Sequence, residues 1–343
     1  MAAKRVGSQT MALSNAPSII GNACVVGKKE GEGPLGDSFD YIETDPMFGE
    51  KTWEQAESKM VRHAFALALA KAGIEERDVS CLFCGDLLNQ CIGTAFALRD
   101  SGIPYFGLYG ACSTMAESLA LAALSVDGGY AVNAAAVTSS HFCSAERQFR
   151  FPLEYGGQRT PTAQWTVTGS GAIILSSGGD GPYVTHVTPG RIVDAGVTDA
   201  NNMGAAMAPA AYDTIRNHLQ DLHMKPMDYD LIVTGDLGSV GGEILTELFR
   251  ADGVEIGGCY NDCGMMIYSQ QLQDVHAGGS GCGCSASVLT GYILNNMRQG
   301  RWKKVLFAAT GALMSPTSTQ QGLSIPSVCC AVSISTQLPE RGR

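Results

Sequence analysis

Residues 105–114, YFGLYGACST, carry the strongest structural signal in the chain. A short apolar strand leads to Gly110, where the chain turns sharply into a helix that is predicted to begin near Ser113. Cys112 therefore lies at a helix N-terminus, where unpaired backbone N–H groups and the helix dipole favour a thiolate. The same groups can bind an anion such as a carboxylate. This elbow predicts a nucleophile or an anion-binding thiol, and the alternative is a buried cysteine that caps the helix.

The same arrangement occurs again later in the chain. The segment from Ala111 to Thr138 matches the segment from Gly283 to Thr310, with Cys284 in the place of Cys112. Residues 78–87 (DVSCLFCGDL) match residues 228–237 (DYDLIVTGDL). Strands predicted at 166–175 and 327–335 close the two halves. The order of elements is the same in each, so we predict an internal duplication with halves at residues 1–185 and 186–343.

Both halves alternate strands and helices, which predicts an α/β fold with mostly parallel sheets covered on both faces. The helix predicted from Ser113 to Val126 is small and apolar nearly all round, as is its counterpart from Ser285. Such helices are buried on every side. Two halves that enclose two central helices form a five-layer α-β-α-β-α body. Further helices are predicted from Trp53 to Ala72 and from Gly204 to His223.

The composition excludes several classes of protein. The chain has 343 residues, of which 45% are hydrophobic and 16% charged, so it can bury a large core. Its 23 basic and 33 acidic residues give a net charge of −10, which argues against a nucleic-acid partner and against unaided binding to anionic lipid. No apolar run reaches the roughly 18 residues of a membrane span. Residues 1–18 lack an apolar signal core, so secretion is not expected.

Twelve cysteines are predicted to be reduced, buried thiols rather than a disulfide framework. Cys81 and Cys84 match the C-x-x-C pattern, but they lie in a predicted strand. Residues three positions apart on a strand point to opposite faces of the sheet. The alternative, a zinc site, lacks a second pair of ligands.

Further motifs identify a known family by their length and order. They are residues 33–36 (GPLG), 85–90 (GDLLNQ), 110–114 (GACST), 138–141 (TSSH), 145–150 (AERQFR), 154–158 (EYGGQ), 207–211 (MAPAA), 277–282 (AGGSGC) and 310–313 (TGAL). With these motifs the chain resembles the thiolase superfamily, which includes the ketoacyl synthases, and within it a branch of sporulation proteins. The resemblance covers nearly the whole chain. It implies a thiolase-like fold and a protein that binds dipicolinic acid, with calcium as the expected counter-ion, for uptake into the forespore.

Condensing enzymes of this superfamily use the elbow cysteine for acyl transfer, and a histidine of the second half supports proton transfer. Here the loop after the predicted strand 231–234 contains Asp236, and the loop 278–282 contains Ser280; neither contains a histidine. A carboxylate cannot replace a neutral imidazole at neutral pH unless its pKa is strongly raised. The sequence therefore favours a non-catalytic protein in which Cys112 is a vestigial nucleophile. The alternative is an acyltransferase or ketoacyl synthase-like enzyme that uses Cys112.

Two histidines keep that alternative open, because His141 and His276 lie near the predicted site in sequence. Either could restore an acid–base partner, or each could be a hydrogen-bonded structural histidine.

Dipicolinate is a flat dianion, so its pocket needs cationic or N–H donors. Arg147 and Arg150, in a predicted loop rich in aromatic residues, could bind carboxylates as forks, or could form surface ion pairs with Glu146 or Glu154. Asp86 and Asn89 could supply oxygens to calcium. However, Asp86 and Asp236 occupy equivalent places in the repeat, which equally fits a helix cap. The predicted ligand-binding set is Cys112, Ser113, Asp86, Asn89, His141, Arg147, Arg150, Asp236, His276 and Ser280.

The resemblance also implies partners. It implies a homodimer paired edge to edge through the strand from Val132 to Thr138. It further implies a peripheral position at the forespore or spore inner membrane, held by SpoVA membrane proteins. It implies no cofactor beyond the ligand itself.

Overall fold

A computed structural model describes residues 4–149 and 159–338 of the chain. Short 3₁₀ turns join many of its elements, and a π-helical segment at residues 288–293 connects α9 to α10. The strands are β1 (Arg5–Val6), β2 (Thr10–Ala12), β3 (Ser18–Gly27), β4 (Tyr41–Glu43), β5 (Cys81–Gly85), β6 (Tyr105–Gly107), β7 (Asn133–Ser140), β8 (Trp165–Thr166), β9 (Gly169–Ser176), β10 (Tyr183–Pro189), β11 (Leu231–Thr234), β12 (Tyr260–Asp262), β13 (Gly279–Ser280), β14 (Lys304–Ala312) and β15 (Ser327–Ser335). The helices are α1 (Lys28–Gly31), α2 (Trp53–Ala72), α3 (Ile92–Leu98), α4 (Thr114–Asp127), α5 (Phe142–Phe149), α6 (Met203–Asp221), α7 (Gly238–Ala251), α8 (Cys263–Ile267), α9 (Cys282–Ser287), α10 (Leu294–Arg298) and α11 (Pro316–Gln320).

The large sheet has two matching parts. Its strands run in the order β12-β11-β14-β15-β10-β3-β9-β7-β5-β6. In one part, β5 pairs in parallel with β6 and β7, and β9 pairs antiparallel with β7 and β3. In the other, β11 pairs in parallel with β12 and β14, and β15 pairs antiparallel with β14 and β10. The two parts thus have the same strand order and directions, as the repeated sequence predicts.

The sheet's two parts meet at β3 and β10, where Tyr183 pairs with Ser18. The predicted boundary between residues 185 and 186 falls inside β10. In addition, β2 from the N-terminal segment pairs with β10.

Helix α4 lies between the two parts of the sheet, because it packs against β5 and β7 on one side and against β14 and β15 on the other. Helix α9 packs against β7, β9 and α4. Helices α2 and α3 cover the outer face of the first part, and α6 and α7 cover that of the second. The predicted five-layer α/β architecture is confirmed.

The sequence explains several element ends. Helix α2 begins where the Thr52 hydroxyl accepts a hydrogen bond from the Gln55 N–H at 3.3 Å, and it ends at Gly73, whose φ of 68° suits glycine. Cys81 and Cys84 belong to cores on opposite faces of β5, as predicted. All twelve cysteines are free thiols.

Two expectations are wrong. Residues 142–149, expected to be part of a loop, form α5. Strand β7 is hydrogen-bonded to β5 on one side and to β9 on the other, so it cannot pair edge to edge with a second copy. The strand at the end of this part of the sheet is β6.

In the described ranges, no helix is both long enough and apolar enough to cross a membrane.

Candidate functional site

The elbow is built where the two halves touch. After β6 the chain passes Gly110 into a 3₁₀ turn, residues 111–113, in which Ala111 has a φ of 50°. The Ser113 hydroxyl donates to the Gly110 carbonyl at 2.7 Å, so Ser113 fixes the turn. A Cβ added to Gly311 of β14 would overlap the Gly110 carbonyl oxygen. The second half therefore needs glycine at this position for the elbow to form.

Cys112 is buried, with 6% of its surface exposed. It packs in a small apolar cluster with Leu87, Ala145 and Cys282, and Phe149 lies against that cluster. Because Ala145 and Phe149 belong to α5, this helix covers one side of the thiol. We call the buried group of Cys112, Asp236 and Ser280 the Cys112 pocket.

Asp236, at the end of β11, faces the Cys112 thiol. Its Oδ2 accepts a hydrogen bond from the Gly281 N–H at 2.8 Å, and the Ser280 hydroxyl lies 3.4 Å from the same oxygen. Its Oδ1 is buried and accepts no well-aligned hydrogen bond from the residues that the structure describes. Two segments of the second half, at Asp236 and at Ser280–Gly281, thus meet the cysteine of the first half.

Burial dominates the electrostatics of this pair. Burial raises the pKa of the Asp236 carboxyl to about 7, although hydrogen bonds from Cys112, Gly281 and Ser280 oppose the shift. Burial and the charge of Asp236 raise the pKa of the Cys112 thiol well above its usual range. The expectation of a lowered pKa is wrong, because burial and the neighbouring Asp236 carboxyl raise it. At neutral pH Cys112 is a thiol, and Asp236 is protonated to a larger extent than an ordinary aspartate.

Asp86 has a structural role in this site. Its Oδ1 accepts a hydrogen bond from the Leu88 N–H at 2.9 Å, and its Oδ2 accepts from the Thr94 N–H at 2.7 Å and the Thr94 hydroxyl at 2.8 Å. It thereby holds the loop between β5 and α3. Glu57 lies beside it, and burial raises the pKa of both carboxyls. These bonds match the capping interpretation of Asp86.

In the second half, the corresponding loop is held by Asp262, a residue that the sequence analysis did not identify. Asp262, at the end of β12, accepts hydrogen bonds from the Leu237 N–H at 2.8 Å and the Gly238 N–H at 2.9 Å. Burial raises its pKa to about 6. Asp236 therefore does not cap α7, although it matches Asp86 in the repeat. A recognisable signal was present, because Asp262 directly precedes a short helix and accepts from the Met265 N–H as its N-cap.

The two candidate histidines are engaged elsewhere. His141 is buried, and its Nε2 lies 2.8 Å from the Pro46 carbonyl oxygen; burial lowers its pKa. His276 donates from Nδ1 to the Thr160 carbonyl at 2.7 Å, and its Nε2 is 3.1 Å from Asp274. All six histidines lie in the described ranges, and none hydrogen-bonds to Cys112, Asp236 or Ser280.

Arg147, one of the two predicted carboxylate-binding arginines, contacts residues other than Cys112. Arg147 is exposed, pairs with Glu54 and lies over the Trp53 ring, 5.2 Å from its centroid. Its ion pair among the described residues is therefore with Glu54 and not with Glu146, and Glu154 lies outside the described residues. Asn89 is exposed, and its N–H donates to Gln148 Oε1 at 3.0 Å. Arg150 lies outside the described residues. Across residues 4–149 and 159–338, no group of three or more His, Cys, Asp or Glu side chains is arranged to hold a metal ion.

Solved structures of condensing enzymes share this fold. The 3-oxoacyl-[acyl-carrier-protein] synthase III from Aquifex aeolicus VF5 is 16% identical, with a TM-score of 0.56 over 93% of this chain and 100% of that chain. Cerulenin-bound OleA from Xanthomonas campestris is 15% identical, with a TM-score of 0.58 over 93% of this chain and 96% of that chain. At these identities the likeness shows the fold alone, and it confirms the predicted thiolase-like architecture.

Sequence relatives are much more similar. The model of the family described as stage V sporulation protein AD matches residues 7–335. A protein named stage V sporulation protein AD, from Bacillus subtilis (strain 168), is 44% identical over 329 residues, which are 96% of this chain and 97% of the relative. The chain therefore belongs to the stage V sporulation protein AD family.

Proposed function

We propose that this sporulation protein binds dipicolinic acid in the Cys112 pocket, together with calcium, and takes part in its uptake into the forespore. The supporting observation is that Cys112 faces the carboxyl of Asp236 and no imidazole. A buried thiol that keeps its proton is a poor nucleophile. The site is better suited to recognition than to turnover.

The pocket offers complementary groups for such a ligand. The Cys112 thiol and the Ser280 hydroxyl can donate to a ligand carboxylate, and so can Asp236 when it is protonated. When Asp236 is ionised, its Oδ1 can coordinate a cation. Calcium bound to the ligand would be such a cation. Asp86 and Asn89 stay in the proposal as residues that shape the loop beside Cys112.

Calorimetry with dipicolinate, with and without calcium, tests this function. We expect saturable binding that becomes about tenfold weaker in Cys112→Ala and in Asp236→Asn, the equivalent of about 1.4 kcal/mol. Arg147→Ala is the matched control, because Arg147 pairs with Glu54 at the surface; its affinity should not change. Absence of heat and of a thermal shift with wild-type protein would contradict the proposal.

An acyltransferase is the second candidate, and the Asp236 pKa of about 7 favours it. A carboxyl that titrates near neutrality could accept the Cys112 proton as the sulfur attacks a thioester, and the thiol of the donor would leave. Incubation with acyl and malonyl thioesters, followed by mass spectrometry of the Cys112 peptide, separates the two functions. An acyl adduct that turns over to a condensed product would replace the binding proposal.

We further propose a homodimer formed through β6. Tyr105, Phe106 and Tyr109 on and beside this edge strand are 37%, 54% and 44% exposed, and Phe96 nearby is 59% exposed. Sheet edges with exposed aromatic side chains are normally covered in native proteins. Two copies paired here would bring both Cys112 elbows close to the interface.

We also propose that the protein is peripheral at the forespore or spore inner membrane and is held there by SpoVA membrane proteins. The net charge of −10 disfavours direct binding to anionic lipid. Flotation with anionic vesicles is expected to leave the purified chain unbound, and vesicles that contain those partners should recruit it. Recruitment by bare lipid would contradict this proposal.

A further inference from the structure

Two cations lie over one tryptophan outside the Cys112 pocket. Lys29 Nζ is 3.6 Å and Arg159 Cζ is 4.7 Å from the ring centroid of Trp165. Phe142 stacks on Trp165 with 4.0 Å between ring centroids and 11° between planes. Since Phe142 covers one face of the indole, the cations occupy the other. We call Lys29, Arg159 and Trp165 the cation–indole cluster.

Backbone and side-chain contacts hold these two positive charges together. The Asp274 carbonyl oxygen accepts a hydrogen bond from Lys29 Nζ at 3.2 Å and another from Arg159 Nη2 at 3.1 Å. The Asp274 carboxylate also accepts a hydrogen bond from Arg159 at 2.6 Å, but the Asp274 side chain is 72% exposed. Burial and the nearby charge of Arg159 lower the pKa of Lys29. The nearby charges of Asp274, Glu30 and Glu32 offset part of the repulsion between the two cations.

Arg159 has an unused donor. Its Nη1 is buried and donates to no residue in the described part of the chain, which is costly for a guanidinium N–H. Glu30, next to Lys29, does not accept a hydrogen bond from Arg159 Nη1. Its buried carboxylate accepts hydrogen bonds from the Tyr268 hydroxyl and the Thr168 N–H at one oxygen, Oε1. A carboxylate that binds both Arg159 Nη1 and Lys29 would accept the unused Arg159 hydrogen bond and offset the two positive charges.

The cluster lies close to the Cys112 pocket. Trp165 pairs with Gly279 in the small β8–β13 sheet, and the next pair joins Thr166 to Ser280. Ser280 in turn reaches Asp236. We propose that the cation–indole cluster is a separate binding site for a carboxylate of a small aromatic dicarboxylic acid, adjacent to the Cys112 pocket. This inference rests on the proposed function only for the identity of the acid.

Tryptophan fluorescence of the full chain reads this site, because Trp165 lies between Phe142 and the two cations. The probes are dipicolinate and isophthalate, which carry the same pair of carboxylates on different rings. We expect a saturable change that disappears in Trp165→Phe and persists in Trp53→Phe and Trp302→Phe. Calorimetry should show affinity at least about tenfold weaker in Lys29→Ala and Arg159→Ala, since each loses a charged hydrogen bond.

Two further variants sharpen the test. Arg147→Ala is the matched control, because Arg147 also lies over a tryptophan and pairs with a carboxylate; its affinity should stay within about twofold of wild type. Asp274→Asn removes the competing carboxylate and should strengthen binding. Circular dichroism confirms that each variant is folded.

The possible failures are distinguishable. If Lys29→Ala and Arg159→Ala bind both acids like wild type, and Cys112→Ala loses dipicolinate, this inference is overturned and the proposed function stands. If the two cation variants lose both acids, and Cys112→Ala and Asp236→Asn keep them, the cluster is supported and the Cys112 pocket is not the binding site. Wild-type protein that binds neither acid would overturn both.

Discussion

At Cys112, a thiol and a carboxyl occupy one buried site. The charge of Asp236 helps to keep the proton on sulfur. Sequence reasoning identified both residues, but it misjudged their protonation, because the depth of burial cannot be read from a turn motif. It left open a raised pKa at Asp236, and burial raises that pKa to about 7.

Asp236 should make stability depend on pH. Its folded pKa of about 7 lies above the value of about 3.9 for an unfolded aspartate. Its contribution is therefore fully present below pH 4 or so and is lost as the pH rises through about 7. We expect the free energy of unfolding of wild type to fall over this range, and Asp236→Asn to show a shallower fall. Urea titrations at several pH values measure both. Other buried carboxyls with raised pKa values, such as Glu57, Asp86 and Asp262, contribute to the slope in both proteins.

Cys112 should react slowly with iodoacetamide at pH 7, because its pKa is well above the usual range. The rate should increase as the pH is raised. Asp236→Asn removes a nearby negative charge, so it should accelerate alkylation at neutral pH. Mass spectrometry of the Cys112 peptide follows the reaction, and the half-buried Cys143 is an internal reference. Fast modification in wild type, unaffected by Asp236→Asn, would show that the carboxyl does not control this thiol.

Among the elements, those with regular patterns were predicted well. Helix α2 matches its predicted range, and β15 matches residues 327–335, because periodic apolar residues and caps define such elements locally. The site was harder to predict. Asp262 has a local N-cap signal, but its bonds to Leu237 and Gly238 join distant segments. The cations around Trp165 also come from distant segments, and nothing in the local sequence indicates these contacts.

The elbow should be sensitive to one methyl group in β14. Gly311→Ala would place its Cβ against the Gly110 carbonyl oxygen, so backbone must move, at a cost of about 2 kcal/mol or more. We expect a lower unfolding temperature and altered alkylation of Cys112. Gly257→Ala is the matched control, because nothing lies within 4 Å of a Cβ there. Equal stability of the two variants would show that the elbow tolerates a shift.

For the whole molecule, the duplication predicted the layers, since both halves repeat one strand order. The edges of the sheet were not predictable in the same way. The segment from Val132 to Thr138 has the small apolar residues expected of a dimer strand, but β9 and β5 pair with it on both sides. Which strand ends the sheet depends on long-range pairing and not on strand composition.

Phe106→Asp should therefore dissociate the proposed dimer. Phe106 is 54% exposed and stacks on Phe83 with 5.0 Å between ring centroids, so a charge there would be buried in the interface at high cost. Size-exclusion chromatography with light scattering should give a dimer for wild type and a monomer for the variant. Val132→Asp, at the start of the rejected strand, should remain dimeric. A wild-type monomer would contradict the proposal.

The contact between Gly110 and Gly311 has a consequence for how the molecule could be divided. The carbonyl oxygen of one residue fills the space that a side chain on the other would need, so the cysteine owes its position to both copies of the repeat. If the two repeats were produced as separate polypeptides, the first alone would contain Cys112 but would lack the Asp236, Ser280 and Gly311 contacts that surround it. Only their reassociation would restore the slow reactivity of the intact chain.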